Sequence, residues 1–419
     1  MNMIGKTPGE AQDAYAMPEL QETFAAEVDL ASRWLGGSVL AASDESFGEK
    51  ESLLTPTPSA FVPGNYGPRG EIVDGWETRR RREPGHDWAL IRLGAAGIIT
   101  AVDVDTSFFT GNFPTTCLIE ACGVEGYPSP KALQSLDTEW IEIASRSPLK
   151  GDAHNRFDVS DRRRFTHVRL SAFPDGGIAR LRVYGHVVPD PRIFDGLTVD
   201  LASQDHGGQV VTSSDGFYTS AAMLNRPDKA RNMGDGWETR RRRDDGNDHA
   251  IIRLALPGRV RLVEIDTAHF KYNASAEVAL YGAPGEGMPQ ADSDAWAPML
   301  SRRSLQPDTR HVFMLPAGAS PISFVRLDAF PDGGISRIRL WGAVYPAARC
   351  EAGYRWFNAL PAEQARYVLL EQGASADLAA RLTAARPLTR DPIGRFAGGA
   401  ASDAATLATV KAMLDGDTP

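Results

Sequence analysis

GWETRRRR, Gly75 to Arg82, returns letter for letter as Gly236 to Arg243, and an aspartate precedes each copy, Asp74 and Asp235. An octapeptide of this chemistry does not recur by chance, so the chain contains an internal duplication. From Trp76 to Trp237 the offset is 161 residues. The same offset carries Asp103-Val104-Asp105-Thr106 onto Glu264-Ile265-Asp266-Thr267, Phe109 onto Phe270 and Asn112 onto Asn273. Further on, VRLSAFPDGGIARLRVYG (Val168 to Gly185) matches VRLDAFPDGGISRIRLWG (Val325 to Gly342) at an offset of 157. Upstream, GGSVLAASD ending at Asp44 matches GGQVVTSSD ending at Asp215 at an offset of 171, so the first copy has the longer loop before its octapeptide. Insertions and deletions thus fall between motifs, where loops absorb them.

These matches divide the chain into an N-terminal segment, 1–30, two repeats, 31–190 and 201–347, and a C-terminal extension, 350–419. Each repeat is the size of an ordinary domain and too long for a solenoid turn. Within the first, Ala89 to Leu93, Ile99 to Val104, Val168 to Leu170 and Ala179 to Tyr184 place apolar residues at every second position, the period of half-buried strands. The second repeats the pattern at Ala250 to Leu254, Arg261 to Asp266 and Arg337 to Trp341. Turn clusters such as Gly111-Asn112-Phe113-Pro114 and Pro174-Asp175-Gly176-Gly177 separate the strands. The expected fold class is all-β: two tandem β-sandwiches with a short helical C-terminal tail. Helical spacing is confined to the ends, over Pro18 to Leu35, over Leu360 to Arg386 with a break at Gly373, and over Ala404 to Leu414 after a Gly398-Gly399-Ala400 linker.

A net charge of −9 opposes nucleic acid as a partner, because phosphate binding needs a broad positive field. No stretch approaches the roughly 20 apolar residues that span a bilayer, and MNMIGKTPGEAQDAYA lacks the apolar core of a signal peptide, so a cytoplasmic location is expected. Cys117 and Cys122 form a C-x4-C pair, but with only Cys350 besides them they read as reduced core thiols. None of the eight histidines forms an H-x-H or H-E-x-x-H pair, and no nucleophile elbow, P-loop or dinucleotide fingerprint occurs. No metal motif is readable, and the cofactor is left open.

Within DGWETRRRR, the carboxylates of Asp74 and Glu77 stand beside an indole and four guanidinium groups. In an extended segment alternate side chains face opposite ways, so either Arg79 and Arg81 or Arg80 and Arg82 face a ligand, where a guanidinium fork grips a carboxylate. A solvated edge strand is the bland reading of one copy; verbatim duplication favours a site or its scaffold. FPDGG reads first as a hairpin turn, and its Asp175 is a candidate for chemistry on a rigid support. His86, just after the octapeptide, is the best-placed histidine, although its counterpart is Asn247, while His154 and His311 sit in matching loops without strict alignment.

Taken together, DGWETRRRR, VDVDTSFFTGNFP (Val102 to Pro114) and SAFPDGGIARLRVYG resemble the allantoicase family across residues 20–347. The resemblance implies two jelly-roll domains of the galactose-binding-like type. It also implies a hydrolase of purine (allantoin) degradation, acting on a carbon–nitrogen bond of a linear amidine, that converts allantoate and water to (S)-ureidoglycolate and urea. That substrate is a carboxylate whose central carbon bears two ureido groups, so its site needs a cation, acceptors for N–H groups, a proton donor for the departing urea and a base for water. On this reading Glu77, Asp175 and His86 are the catalytic candidates. Asp74, Trp76, Arg80, Arg82 and Asn112, with Glu238, Arg241 and Asp332 of the second copy, are the substrate-binding candidates. Where the first copy has Gly111, Phe113 and Pro114, the second has Tyr272, Ala274 and Ser275, so the second copy is either structural or part of a shared site, and the first repeat carries the greater weight.

The C-terminal stretch FNALPAEQARYVLLEQGASADLAARLTAARPL loosely resembles the start of a ureidoimidazoline decarboxylase but is too short for that activity, and reads as a helical appendage. The expected partners are a small-molecule substrate and further copies of the chain, a homo-oligomer. The competing class is a non-catalytic binder of carbohydrate or another small molecule, since the fold alone does not fix function. Such a binder would line its loops with exposed aromatics, whereas the duplicated strings are rich in Arg, Asp and Glu.

Overall fold

The computed structural model describes residues 27–417 apart from 69, 136, 317, 319 and 391–400. The first repeat consists of β1 (Val28–Asp29), β2 (Ser38–Ala42), β3 (Phe61–Gly67), β4 (Gly70–Val73), β5 (Trp76–Glu77), β6 (Asp87–Asp105), β7 (Thr116–Cys122), β8 (Ile141–Pro148), β9 (His154–Asp158), β10 (Arg164–Phe173), β11 (Gly177–Ile178) and β12 (Arg180–Val187). The second consists of β13 (Val199–Asp200), β14 (Gln209–Ser213), β15 (Trp237–Glu238), β16 (Asp248–Asp266), β17 (Glu277–Ala283), β18 (Ala297–Ser304), β19 (Arg310–Met314), β20 (Ile322–Phe330), β21 (Gly334–Ile335) and β22 (Arg337–Val344).

Two alternating runs, 89–93 and 99–104, predict separate strands, but both lie in the single 19-residue strand β6. Residues 87–92 of β6 pair with β10 and β2, whereas residues 97–105 pair with β12 and, at their far end, β9. One strand therefore runs through both layers of a jelly-roll sandwich, with β2-β6-β10-β7-β8 in front and β1-β12-β6-β9 behind. In the second repeat β16 repeats this, taking β14 and β20 on its first half and β22 and β19 on its second. The alternation holds within each run; between them the core-facing positions change from odd (Ala89, Ile91, Ile99) to even (Val102, Val104) at a register shift, and the strand continues through that change.

Each sandwich has its own core. Ala89, Ile91, Val102, Val104, Val168, Leu170, Leu181 and Val183 fill the first with Trp76, and Ile252, Leu254, Val263, Ile265, Val325, Leu327 and Leu340 fill the second with Trp237. Each such aliphatic side chain contributes about 1.5–3 kcal/mol by leaving water. Cys117 belongs to the first core while Cys122, five positions along β7, joins a small cluster with Leu90 and Leu133 on the opposite face; burial pushes both thiols up to about 12.

Two short ladders outside the main sheets position the motifs. β5 pairs with β11, setting Trp76 opposite Ile178 and Glu77 opposite Gly177; β15 pairs with β21, setting Trp237 opposite Ile335 and Glu238 opposite Gly334. The octapeptide is thereby stitched to the FPDGG turn in each repeat. The extra length before the first octapeptide forms the β3–β4 hairpin, while the second repeat has 3₁₀ turns at Ala221–Met223 and Met233–Asp235.

A helix expected over Pro18 to Leu35 falls partly outside the described residues, and its remainder is not helical. Val28–Asp29 pairs with β12, and a 3₁₀ turn follows at Arg33–Leu35. Asp29 accepts the N–H groups of Ala31 and Val183, which ties this segment to the sheet edge. At the other end, helices span Pro346–Ala359, Ala362–Glu371, Ala376–Ala384 and Ala401–Asp415, with Gly373 at φ 84° breaking the second from the third. The expected linker at 398–400 lies outside the described residues. These helices are no loose appendage. Trp356, Phe357, Leu360, Val368, Leu378 and Leu414 form a third core that reaches Val188 and Ile98 of the first repeat. Gln364 also donates to Glu125 of the first repeat at 2.6 Å.

Candidate active site

The same braces hold the octapeptide in both repeats. The Trp76 indole donates to the Asp44 carbonyl at 2.8 Å, as Trp237 does to Asp215. The Thr78 hydroxyl accepts the Gly176 N–H at 3.0 Å, as Thr239 accepts that of Gly333 at 2.7 Å. Asp175 accepts the backbone N–H of Arg81 at 2.8 Å, as Asp332 accepts that of Arg242 at 3.0 Å. Finally, the Arg81 guanidinium reaches the buried Asp87 at 2.9 Å, and Arg242 reaches Asp248 at the same distance.

Against this frame the remaining positions of the motif are set free. Glu77 is half-buried, and its Oε1 accepts from Asn112 Nδ2 at 2.7 Å; burial raises its pKa above the usual glutamate value, and the Asn112 bond opposes the rise without cancelling it. A carboxyl tuned upward in this way holds its proton to higher pH than a free glutamate does. Arg80 and Arg82 are exposed and have no ion-pair partner among the described residues, whereas Arg79 leans on Asp44 and Arg81 points inward. Of the two alternatives open in the sequence, Arg80 and Arg82 are thus the pair available to a ligand.

Other candidates are occupied differently. Trp76, expected to touch substrate, is fully buried, so it supports the floor and cannot make that contact. Asp74 pairs with Arg180 at 2.5 Å and accepts the Ala60 N–H. Arg180 is itself buried, so Asp74 is mainly the counter-charge of a structural cation. Asp175 spends Oδ2 on Arg81 and holds the turn that begins with the cis bond Phe173–Pro174. His86 stacks on Phe173 with ring centroids 4.5 Å apart, at the opposite end of this turn from the Gly177–Glu77 pairing. Burial, helped by Arg81 and Arg169, holds its pKa below the usual histidine value, so the ring is neutral at neutral pH.

In the second repeat Glu238 accepts from Asn273 Nδ2 at 2.5 Å, and Arg241 is exposed without an ion-pair partner among the described residues. The Glu–Asn pair is therefore present in both repeats despite the loop changes. Asn273, absent from the sequence candidates, is the one residue of the GNFP turn kept in place in the second copy. Asp44 and Asp215 are further site residues outside the sequence candidates. Each takes a backbone N–H of the octapeptide, Asp44 from Arg79 at 2.9 Å and Asp215 from Arg240 at 3.1 Å, and their signal was the shared final Asp of GGSVLAASD and GGQVVTSSD.

His154 donates or accepts at Asp103 over 2.7 Å. In strand register it lies opposite Asp105, and the residue opposite Asp266 is Arg310, so Arg310 and not His311 is its structural counterpart. A cavity of about 720 Å³ between the repeats and the Pro346–Ala359 helix, bordered by His186, His206, Arg253 and Arg355, includes none of the sequence candidates.

Comparison with known proteins bears on this arrangement. The family model described as Allantoicase repeat matches residues 28–188 and again 199–345. A probable allantoicase of Nocardia farcinica is 50% identical over 315 residues, covering 75% of this chain and 93% of that protein. One of Streptomyces coelicolor is 46% identical over 332 residues, covering 77% and 86%. The crystal structure of allantoicase from Saccharomyces cerevisiae superposes with a TM-score of 0.64 at 34% identity, over 75% of this chain and 93% of that one.

Proposed function

The chain belongs to the allantoicase family, and we infer on that premise that it hydrolyses allantoate in purine degradation, releasing urea and leaving (S)-ureidoglycolate. The observation that carries the reading at the level of residues is the Glu77–Asn112 pair, on a braced segment that also carries the exposed Arg80 and Arg82, which have no ion-pair partner among the described residues. In the proposed roles Arg80 and Arg82 grip the substrate carboxylate, and the Asn112 carbonyl accepts from a ureido N–H. Glu77, protonated, gives its proton to the nitrogen that departs as the bond to the central carbon breaks. Water then bonds to that carbon and yields its proton to Glu77, so atoms and charge balance and the acid is restored.

His86, neutral and at the same turn, is a further candidate base. Asp74 and Trp76 enter the proposal as supports, and Glu238, Arg241 and Asp332 as the corresponding group of the second repeat. Among the described residues no helix is long and apolar enough to cross a membrane. A cytoplasmic homo-oligomer remains part of the proposal. Purified protein incubated with allantoate is expected to release urea, and the same assay with a chelator reads out metal dependence; binding without urea release would favour a non-catalytic binder and overturn the assignment.

A further inference from the structure

We propose that the second repeat carries a second catalytic centre, with Glu238 and Asn273 as its acid–base and ureido-binding pair and Arg241 with Arg243 as its carboxylate anchor. The proposal rests on the allantoate reading and extends it from one site per chain to two.

Its first support is a division within the duplicated string itself. Packing accounts for Trp237, Thr239 and Arg242, because each fills the core or satisfies a buried partner. Packing does not account for Glu238, Arg241 and Arg243. Both arginines are exposed and have no ion-pair partner among the described residues, and surface positions of that kind usually change stability by no more than about 0.5 kcal/mol when substituted. A second copy kept only as scaffold would have no physical need for these three side chains.

The second support is that the altered loop still delivers its asparagine. The first repeat holds the loop through the Asn112 carbonyl, which accepts the Gly177 N–H at 2.7 Å. In the second, Ser275 stands where Pro114 stood; its hydroxyl donates to the Asp332 carbonyl at 2.7 Å and accepts the Gly334 N–H at 3.1 Å. Different bonds fix the turn, and the Nδ2 to Oε1 contact with glutamate is formed all the same. What differs is the rim. Asn247 replaces His86, His269 replaces Phe108, and the β3–β4 hairpin has no equivalent, so the two centres should differ in KM while sharing their chemistry.

The test compares Glu77→Gln, Glu238→Gln and the double variant in urea release from allantoate by the full chain, with thermal unfolding as the check on folding. Each single variant is expected to keep the turnover of the other centre with that centre's KM, and the double variant to fall by about 10²–10⁴-fold, the contribution of a positioned acid or base. Glu238→Gln with unchanged kcat and KM overturns the proposal, as does loss of all turnover in either single variant, which would indicate one composite site. Calorimetry of the double variant with allantoate provides an independent reading: two ureides bound per chain, and one after Arg241→Ala and Arg243→Ala are added. Unaltered protein that releases no urea overturns the substrate reading itself, whereas urea release with one ureide bound per chain overturns only the second centre.

Discussion

In the first repeat the buried guanidinium of Arg180 is answered by Asp74, the residue before the octapeptide; in the second, Arg337 is answered by Asp228, and Asp235 turns instead to Arg231. The arginine on the strand is the fixed element, and the carboxylate comes from whichever loop passes over it. A buried cation must be paired, but its partner need not come from the same sequence position. Below the octapeptide the opposite holds, and Trp, Thr and Arg make the same contacts in both copies. The difference separates a frame that tolerates no change from a rim that was rebuilt after duplication.

Removing the indoles should strain this equivalence most. Trp76→Ala and Trp237→Ala each empty a fully buried site and are expected to cost about 3–5 kcal/mol in denaturant unfolding. Equal losses would show that the two cores depend on their tryptophans alike. A loss confined to one repeat would break the comparison at its base.

Next in size is the ion pair beneath the arginine run. Asp87 and Asp248 are buried while Arg81 and Arg242 are partly exposed, so Arg81→Ala or Arg242→Ala leaves a buried carboxylate with only its serine partner, Ser43 or Ser214. A charge-assisted bond of this kind is worth about 1.5–3 kcal/mol, and unfolding midpoints should fall accordingly in both variants. Substituting the exposed neighbours Arg80 or Arg241 should leave the midpoint nearly unchanged and lower activity instead. Equal destabilisation by all four would mean that the run is structural throughout.

The sandwich architecture was legible in the sequence because period-two alternation and turn chemistry are local signals, and both repeats gave them independently. The run of strand β6 through two sheets was not, since the core-facing set changes phase between Ile99 and Val102 and so reads as a break between two strands. At the site, Glu77 and Asn112 could be anticipated from duplicated residues, whereas the bond from the Arg81 N–H to Asp175 could not, because a carboxylate on a turn reads equally as chemistry or as a brace. The burial of Trp76 could not, because an indole beside charged residues reads equally as a ligand platform or as a plug, and only the Asp44 carbonyl above it decides. The N-terminal helix failed for a related reason: apolar spacing does not register that Asp29 is claimed by the backbone of β12.

The smallest predicted effect tests the rim. At equivalent places His154 faces Asp103 and Arg310 faces Glu264, the latter through Nε at 2.7 Å, so the first repeat has a titrating cation where the second has a permanent one. The Asp103 hydrogen bond and charge, against opposing burial, raise the His154 pKa above its ordinary value of 6.5. The folded state therefore holds this proton more tightly than the unfolded chain, so the pair's contribution is full below pH 6.5 and fades as pH rises through the raised value. His154 is nearly half exposed, which limits the contribution to about 0.2–1 kcal/mol. His154→Gln should lower the unfolding midpoint at pH 5.5 and leave it unchanged at pH 9, while Arg310→Gln should lower it equally at both. A pH-independent loss in the histidine variant would mean that packing, not charge, holds that corner, and the two rims would then differ in shape alone.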